Sequence, residues 1–96
     1  MSFYLLKPCE GKSAFEAIPK NQIQIEIDKC INALKANDYE VIDAGIMLIA
    51  IKGDCEISVY PSAKLLLKCS SKEKAVEMAN ELYDVLGVSE GASGRV

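Results

Sequence analysis

Four cysteines, Cys9, Cys30, Cys55 and Cys69, are the residues of this chain best suited to nucleophilic, redox or metal chemistry. No histidine accompanies them. That removes the commonest general base, the commonest metal ligand and every Ser-His or Cys-His arrangement. No Cys-x-x-Cys spacing occurs either, the pattern that places two thiolates on one zinc ion. The cysteines therefore read as small hydrophobes suited to a core. A reversible Cys55–Cys69 disulfide and a metal site stand as alternatives. Cys9 is the thiol expected to react first with a probe. Gly11-Lys12-Ser13 ends like a phosphate-binding loop but lacks the upstream glycine and strand such a loop needs. Asp54 and Glu56 are two carboxylates beside a turn, which is ordinary hairpin composition. No catalytic residue, metal-ligand set or cofactor is expected, and the chain reads as non-enzymatic.

These residues sit in a chain of 96, enough for one domain. Half the residues are apolar, so a core can form without metal or cross-links. The net charge of −3 supplies no electrostatic footprint for nucleic acid or an anionic membrane. No apolar run reaches the roughly 18 residues that signal a membrane span, and the opening MSFYLLKPCEG does not read as an export signal. A cytoplasmic setting with all four cysteines as thiols is the resulting expectation.

The pattern along the chain predicts strand, helix, four strands, helix. FYLLK (3–7) reads as a strand ended by Pro8. Residues 8–19 read as mostly loop, with an extended piece around Phe15–Ile18 as an option. Residues 20–37 carry two signals. QIQIEI (22–27) alternates as a strand does, yet Ile23, Ile27, Cys30, Ile31 and Leu34 form a helical stripe. One helix opened by Asn21 and Gln24 is the preferred reading, with a strand at 22–27 and a shorter helix as the fallback. Strands follow at Tyr39–Asp43, Ile46–Lys52, Cys55–Tyr60 and Lys64–Cys69. Gly53-Asp54 and Pro61-Ser62-Ala63 make the last two turns. Ser70-Ser71-Lys72-Glu73 is a capping box opening a helix whose inward stripe is Val76, Ala79, Leu82, Tyr83 and Leu86, with Gly87 as its stop. The domain is expected over 1–87, with 88–96 as a flexible tail. Four consecutive strands imply an antiparallel meander of about five strands in all, an α+β fold with both helices on one face.

In the hairpin CEISVYPSAKLLLKC (55–69), pairing Tyr60 with Lys64 sets Ser58 opposite Leu66 and Glu56 opposite Lys68, all on one face. Cys55, Ile57, Val59, Leu65, Leu67 and Cys69 share the other face, toward the helices. Cys55 then lies opposite Cys69, with Cys30 on the stripe of the first helix.

The stretch 46–86 resembles one half-repeat of the TATA-box-binding protein family, in IMLIAI, ISVYPSAK, LLLKCSSKEKA and the helix carrying Leu82, Tyr83 and Leu86. The first forty residues match by topology. The resemblance implies a TBP-like half-domain. It also implies that Ile46, Leu48 and Ala50 face the helices, while Met47, Ile49 and Ile51 face away. Family members that bind DNA carry two tandem halves, each with two phenylalanine wedges for the minor groove. This chain has room for one half. Tyr60 stands at one wedge position and Asp43 at the other, where a carboxylate repels phosphate and cannot intercalate.

The helix-free face is thus expected to carry Met47, Ile49, Ile51, Tyr60 and Leu66 among Lys64, Lys68, Glu56 and Ser58. That is more apolar than a solvated face should be. Either the N-terminal segment, with Phe3, Tyr4 and Phe15, folds over it, or it docks another copy or another protein. A nucleic-acid surface is a third reading, disfavoured because Lys64 and Lys68 are its only cations. No membrane partner is expected.

Overall fold

In the computed structural model, which describes residues 4–8, 14–20 and 23–87, the hairpin 55–69 forms in the register its alternation dictates. Strand β5 (Cys55–Val59) pairs antiparallel with β6 (Leu65–Lys68), and Ser58 opposes Leu66 and Glu56 opposes Lys68. The amide of Tyr60 donates to the Lys64 carbonyl at 3.1 Å and that of Ala63 to the Tyr60 carbonyl at 2.8 Å, closing the turn. Ala63 adopts a left-handed φ of 70°, and its carbonyl accepts the Tyr83 hydroxyl at 2.7 Å.

Outward from β5 lie β4 (Leu48–Lys52) and the edge strand β3 (Glu40–Asp43). Gly53, with φ 63°, supplies the left-handed residue of the β4–β5 turn. On the far side of β6 come β2 (Ala14–Pro19) and then β1 (Tyr4–Pro8). The sheet is open, antiparallel and six-stranded, in the order β1-β2-β6-β5-β4-β3. The expectation of about five strands, with 8–19 mostly loop, is corrected here. Proline is tolerated at strand ends and edges. Pro8 and Pro19 close β1 and β2, between which AFEAI keeps its alternation.

Helices α1 (Ile27–Ala36) and α2 (Lys72–Leu86) cover one face, α1 over β3 and β4 and α2 over β2 and β6. Beneath them the strands contribute fully buried Ala17, Leu48, Ala50, Ile57, Val59, Leu65 and Leu67. The preferred reading of one helix over 20–37 is corrected: the helix begins at Ile27, and residues 23–26 before it are neither helix nor ladder strand. Ile23 and Ile25 pack on the core from an extended segment, and the Ile25 amide is fastened to the Pro61 carbonyl at 2.8 Å. From Ile27 the helical stripe takes over, burying Cys30 and Leu34. The N-cap is Glu26 without a side-chain bond, and Asn21 lies outside the described residues.

The expected Ser70–Glu73 capping box does not form: the cap is Ser71, three residues before Lys74, so only the serine half of the motif is made. Ser71 is the N-cap of α2 and accepts the Lys74 amide at 3.1 Å. The buried stripe of α2 is Ala75, Met78, Ala79, Leu82 and Tyr83, with Val76 and Leu86 at its margins. Gly87 ends the helix in the left-handed conformation, with φ 75°. The expected tail 88–96 lies outside the described residues.

Candidate functional site

With both helices on one side, the other face of the sheet is built from alternate residues of all six strands. Strand register sets the rows. Leu5 stands beside Ile18, and Lys7 beside Glu16, which in turn faces Leu66. Leu66 faces Ser58, Ser58 faces Ile49 and Ile49 faces Ile42. Lys68 faces Glu56, Glu56 faces Ile51 and Ile51 faces Glu40. Tyr60, Lys64 and Met47 continue the same alternation at the end nearest the hairpin turn.

The structure thus brings Ile49, Ile51 and Leu66 onto one surface with Lys68, and the alternation adds Met47, Tyr60 and Lys64. It also adds members the sequence did not disclose. Leu5, Ile18 and Glu16 arrive with β1 and β2, and Glu40 and Ile42 with β3. Their signal was alternation in short runs, legible only once those runs are known to be paired. Two residues are relocated. Ile46, expected against the helices, lies in the β3–β4 connection and is 80 % exposed. Asp43, expected at a wedge position, opposes the buried Leu48 and so points to the helix side of the edge. There its carboxylate accepts the Gly45 amide at 2.9 Å, forming a turn.

The described N-terminal segment does not fold over this face. It joins the sheet edge-on, sending Tyr4 and Phe15 to the helix side and Leu5 and Ile18 to the open side. Tyr4 is buried, its ring tilted against that of Tyr83 with centroids 5.2 Å apart, and donates its hydroxyl to Asn80. Phe3 lies outside the described residues. Among the described residues, the partly buried hydrophobics that pack on the core do not include Ile18, Met47, Ile49, Ile51 or Leu66. Each is partly buried.

Charge among the described residues of this face is nearly balanced. Lys64 Nζ is 3.1 Å from Glu16 and 5.1 Å from the centre of the Tyr60 ring. Lys7 stands opposite Glu16, and Lys68 opposite Glu56. Among the described residues, Lys7, Lys64 and Lys68 on this face are matched by Glu16, Glu40 and Glu56, and exposed Lys20 follows Ile18 at the end of β2. The lysines concentrate at β1 and at β6 with its turn, beside Glu16 of β2. The apolar residues form a continuous patch over Tyr60, Met47, Ile49, Ile51 and Ile42, reaching the β3 edge.

On the helix side, Cys55 and Cys69 form a disulfide, their Cα atoms 4.5 Å apart. This corrects the expectation of four thiols. The bonded pair Tyr60–Lys64 alternates along the ladder to make 55–69 a non-hydrogen-bonded pair, the closest approach two strands offer. Sulfurs on neighbouring buried Cβ atoms at such a pair fall within bonding range. Structural disulfides belong mainly to oxidising compartments, so this bond and the cytoplasmic expectation pull in opposite directions. Cys30 is a buried free thiol, its pKa raised by burial and then by Glu26. Cys9 lies outside the described residues. No group of three or more His, Cys, Asp or Glu side chains among the described residues could hold a metal.

A second polar cluster fastens the β4 end to α2. Glu81 accepts the Lys52 ammonium and the Tyr39 hydroxyl, each at 2.8 Å, and Lys52 Nζ lies 4.7 Å from the centre of the Tyr39 ring. Burial, and then the Glu81 carboxylate, push the Tyr39 hydroxyl far above its ordinary value. The bonds from Lys52 and Tyr39 hold Glu81 below the usual carboxylate range. Every group here is satisfied by another, so the cluster braces the fold. No helix among the described residues is long and apolar enough to cross a membrane.

No family model, curated protein or solved structure matches this chain.

Proposed function

We propose that this protein is a non-enzymatic interaction module that docks a protein, a second copy or another chain, against the open face of its sheet. One observation carries the reading. Met47, Ile49, Ile51, Tyr60 and Leu66, extended by Leu5, Ile18 and Ile42, line a face that no described residue covers. A contiguous apolar surface framed by charge is a common form of protein-docking site. Its balanced Lys and Glu pairs suit a surface of mixed charge and give register without net attraction for polyanions.

In the same proposal the fold is a single TBP-like half. From β2 onward the elements run strand, helix, four strands, helix, with β1 as an addition. The nucleic-acid reading is weaker than the resemblance suggests, because Glu16 occupies Lys64. A duplex binder commonly needs on the order of six phosphate contacts.

The test is the oligomeric state and partner binding of Ile49→Lys and Leu66→Lys variants, whose cores are untouched. Loss of association with unchanged thermal stability supports the face. Association indifferent to both charges refutes it.

A further inference from the structure

The open edge of the sheet at β3 is self-complementary in its backbone, and we infer that two copies of this chain join there, β3 against β3, about a two-fold axis at Ile42. This goes beyond the docking reading, because it rests on main-chain groups rather than on the side chains of the face.

The argument begins with hydrogen-bond direction. The Ala44 amide donates to the Met47 carbonyl at 3.0 Å, making 44–47 a bonded pair just beyond the strand. Bonded and non-bonded pairs alternate along an antiparallel ladder. Ile42–Ile49 and Glu40–Ile51 are therefore bonded, and Asp43–Leu48 and Val41–Ala50 are not. The N–H and C=O of Val41 and Asp43 consequently point away from β4. No hydrogen bond from another described residue satisfies them.

A two-fold through Ile42 places Val41 of one copy opposite Asp43 of the other, and the reverse. Every outward amide then meets an outward carbonyl. The two Ile42 side chains meet as the close, non-bonded pair, on the same face as Ile49. The 48 % of Ile42 that is exposed would be covered, and the two apolar patches would fuse. Glu40 falls opposite Ala44 of the other copy, which holds the two Glu40 carboxylates far apart. Centring the axis on Val41 instead is worse. It needs the Tyr39 amide, which already donates to the Leu34 carbonyl at 3.0 Å, and it draws the Glu40 side chains together.

The opposite edge is less suited. In β1, Pro8 has no amide to give and Lys7 is exposed, two devices that guard sheet edges. Strand β3 carries no lysine or proline. Its short length and flanking acids make the join modest, so a reversible dimer is expected rather than an obligate one.

The experiment is sedimentation velocity on the full chain from about 10 μM to about 1 mM, with amide exchange recorded at both ends of that range. A monomer–dimer equilibrium is expected, with exchange at Val41 and Asp43 slowing at least several-fold at high concentration while Ile42 stays unchanged. Val41→Pro deletes one outward amide without touching the bonds to β4, and Ile42→Lys sets two ammonium groups together on the axis. Both should be monomeric. If Val41→Pro fails to fold, Ile42→Lys and the wild-type exchange pattern decide. A wild-type monomer throughout overturns the inference. So does protection of Val41 and Asp43 at every concentration, which would mean that the chain closes this edge itself. A dimer that survives Ile42→Lys but is lost in Leu66→Lys also overturns it, while leaving the docking face standing.

Discussion

Glu16 holds Lys64: the carboxylate on β2 lies 3.1 Å from the ammonium that opposes Tyr60 across the hairpin turn. The contact joins a strand read from sequence as mostly loop to the one lysine best placed to assist an aromatic wedge. It converts a cation available to phosphate into half of a neutral pair. Salt dependence measures what remains. With the described cations of the face nearly offset by its glutamates, the affinity for an A·T-rich duplex should show little salt slope. A protein that neutralised three phosphates would give a log–log slope of about −2.7. Titration by amide shifts at two salt concentrations checks this, and a slope of that size at Tyr60, Lys64 and Lys68 would restore the nucleic-acid reading.

The assignment of faces makes a sharp contrast between adjacent residues of β6. Leu67 is fully buried beneath α2, whereas Leu66 lies on the open face. Leu67→Ala should cost about 2–5 kcal/mol, the usual result of emptying a core leucine site. Leu66→Ala should cost less, about 1–2 kcal/mol in the monomer, since that side chain is only partly buried on the open face. Equal costs in urea denaturation would mean that a second layer covers the open face.

Much of the fold was legible before the structure, and the reasons are local. In 55–69 every second residue is apolar and the turn residues are explicit, so register, faces and the Cys55–Cys69 opposition all follow from period and turn. In 20–37 two periods overlap, and the boundary at Ile27 depends on a tertiary bond from Ile25 to Pro61 that no local pattern encodes. The second strand was hidden between prolines whose tolerance depends on lying at strand ends. Missing it removed Leu5, Ile18 and Glu16 from the site and left open whether the N-terminal segment covers the face. Asp43 was misplaced because a one-residue change of register reverses the face on which a side chain lies.

The Cys55–Cys69 bond closes a loop of sequence separation 14. Restricting the unfolded chain over such a loop is worth roughly 3 kcal/mol. Reduction, or the double change to alanine, should therefore lower the denaturation midpoint without altering the fold. Alkylation under denaturing, non-reducing conditions should label Cys30 and spare Cys55 and Cys69. Labelling of Cys55 and Cys69 in protein handled without reductant would show the pair to be dithiol.

Glu81 provides a pH signature separate from the open face. Its folded pKa is depressed, first by the bond from Lys52 and then by that from Tyr39. A depressed carboxylate adds stability above its unfolded pKa, and that contribution disappears as pH falls through the folded value. The wild type should therefore exceed Glu81→Gln in stability at neutral pH, with the gap closing in acid below about pH 4. The Glu81 side chain is 42 % exposed, so solvent screening holds the gap to about 1 kcal/mol or less. Thermal denaturation of both proteins across that range decides it. A gap that persists unchanged into acid would assign the loss to the hydrogen bonds of Tyr39 and Lys52 rather than to the charge. The cluster would then brace α2 by geometry alone.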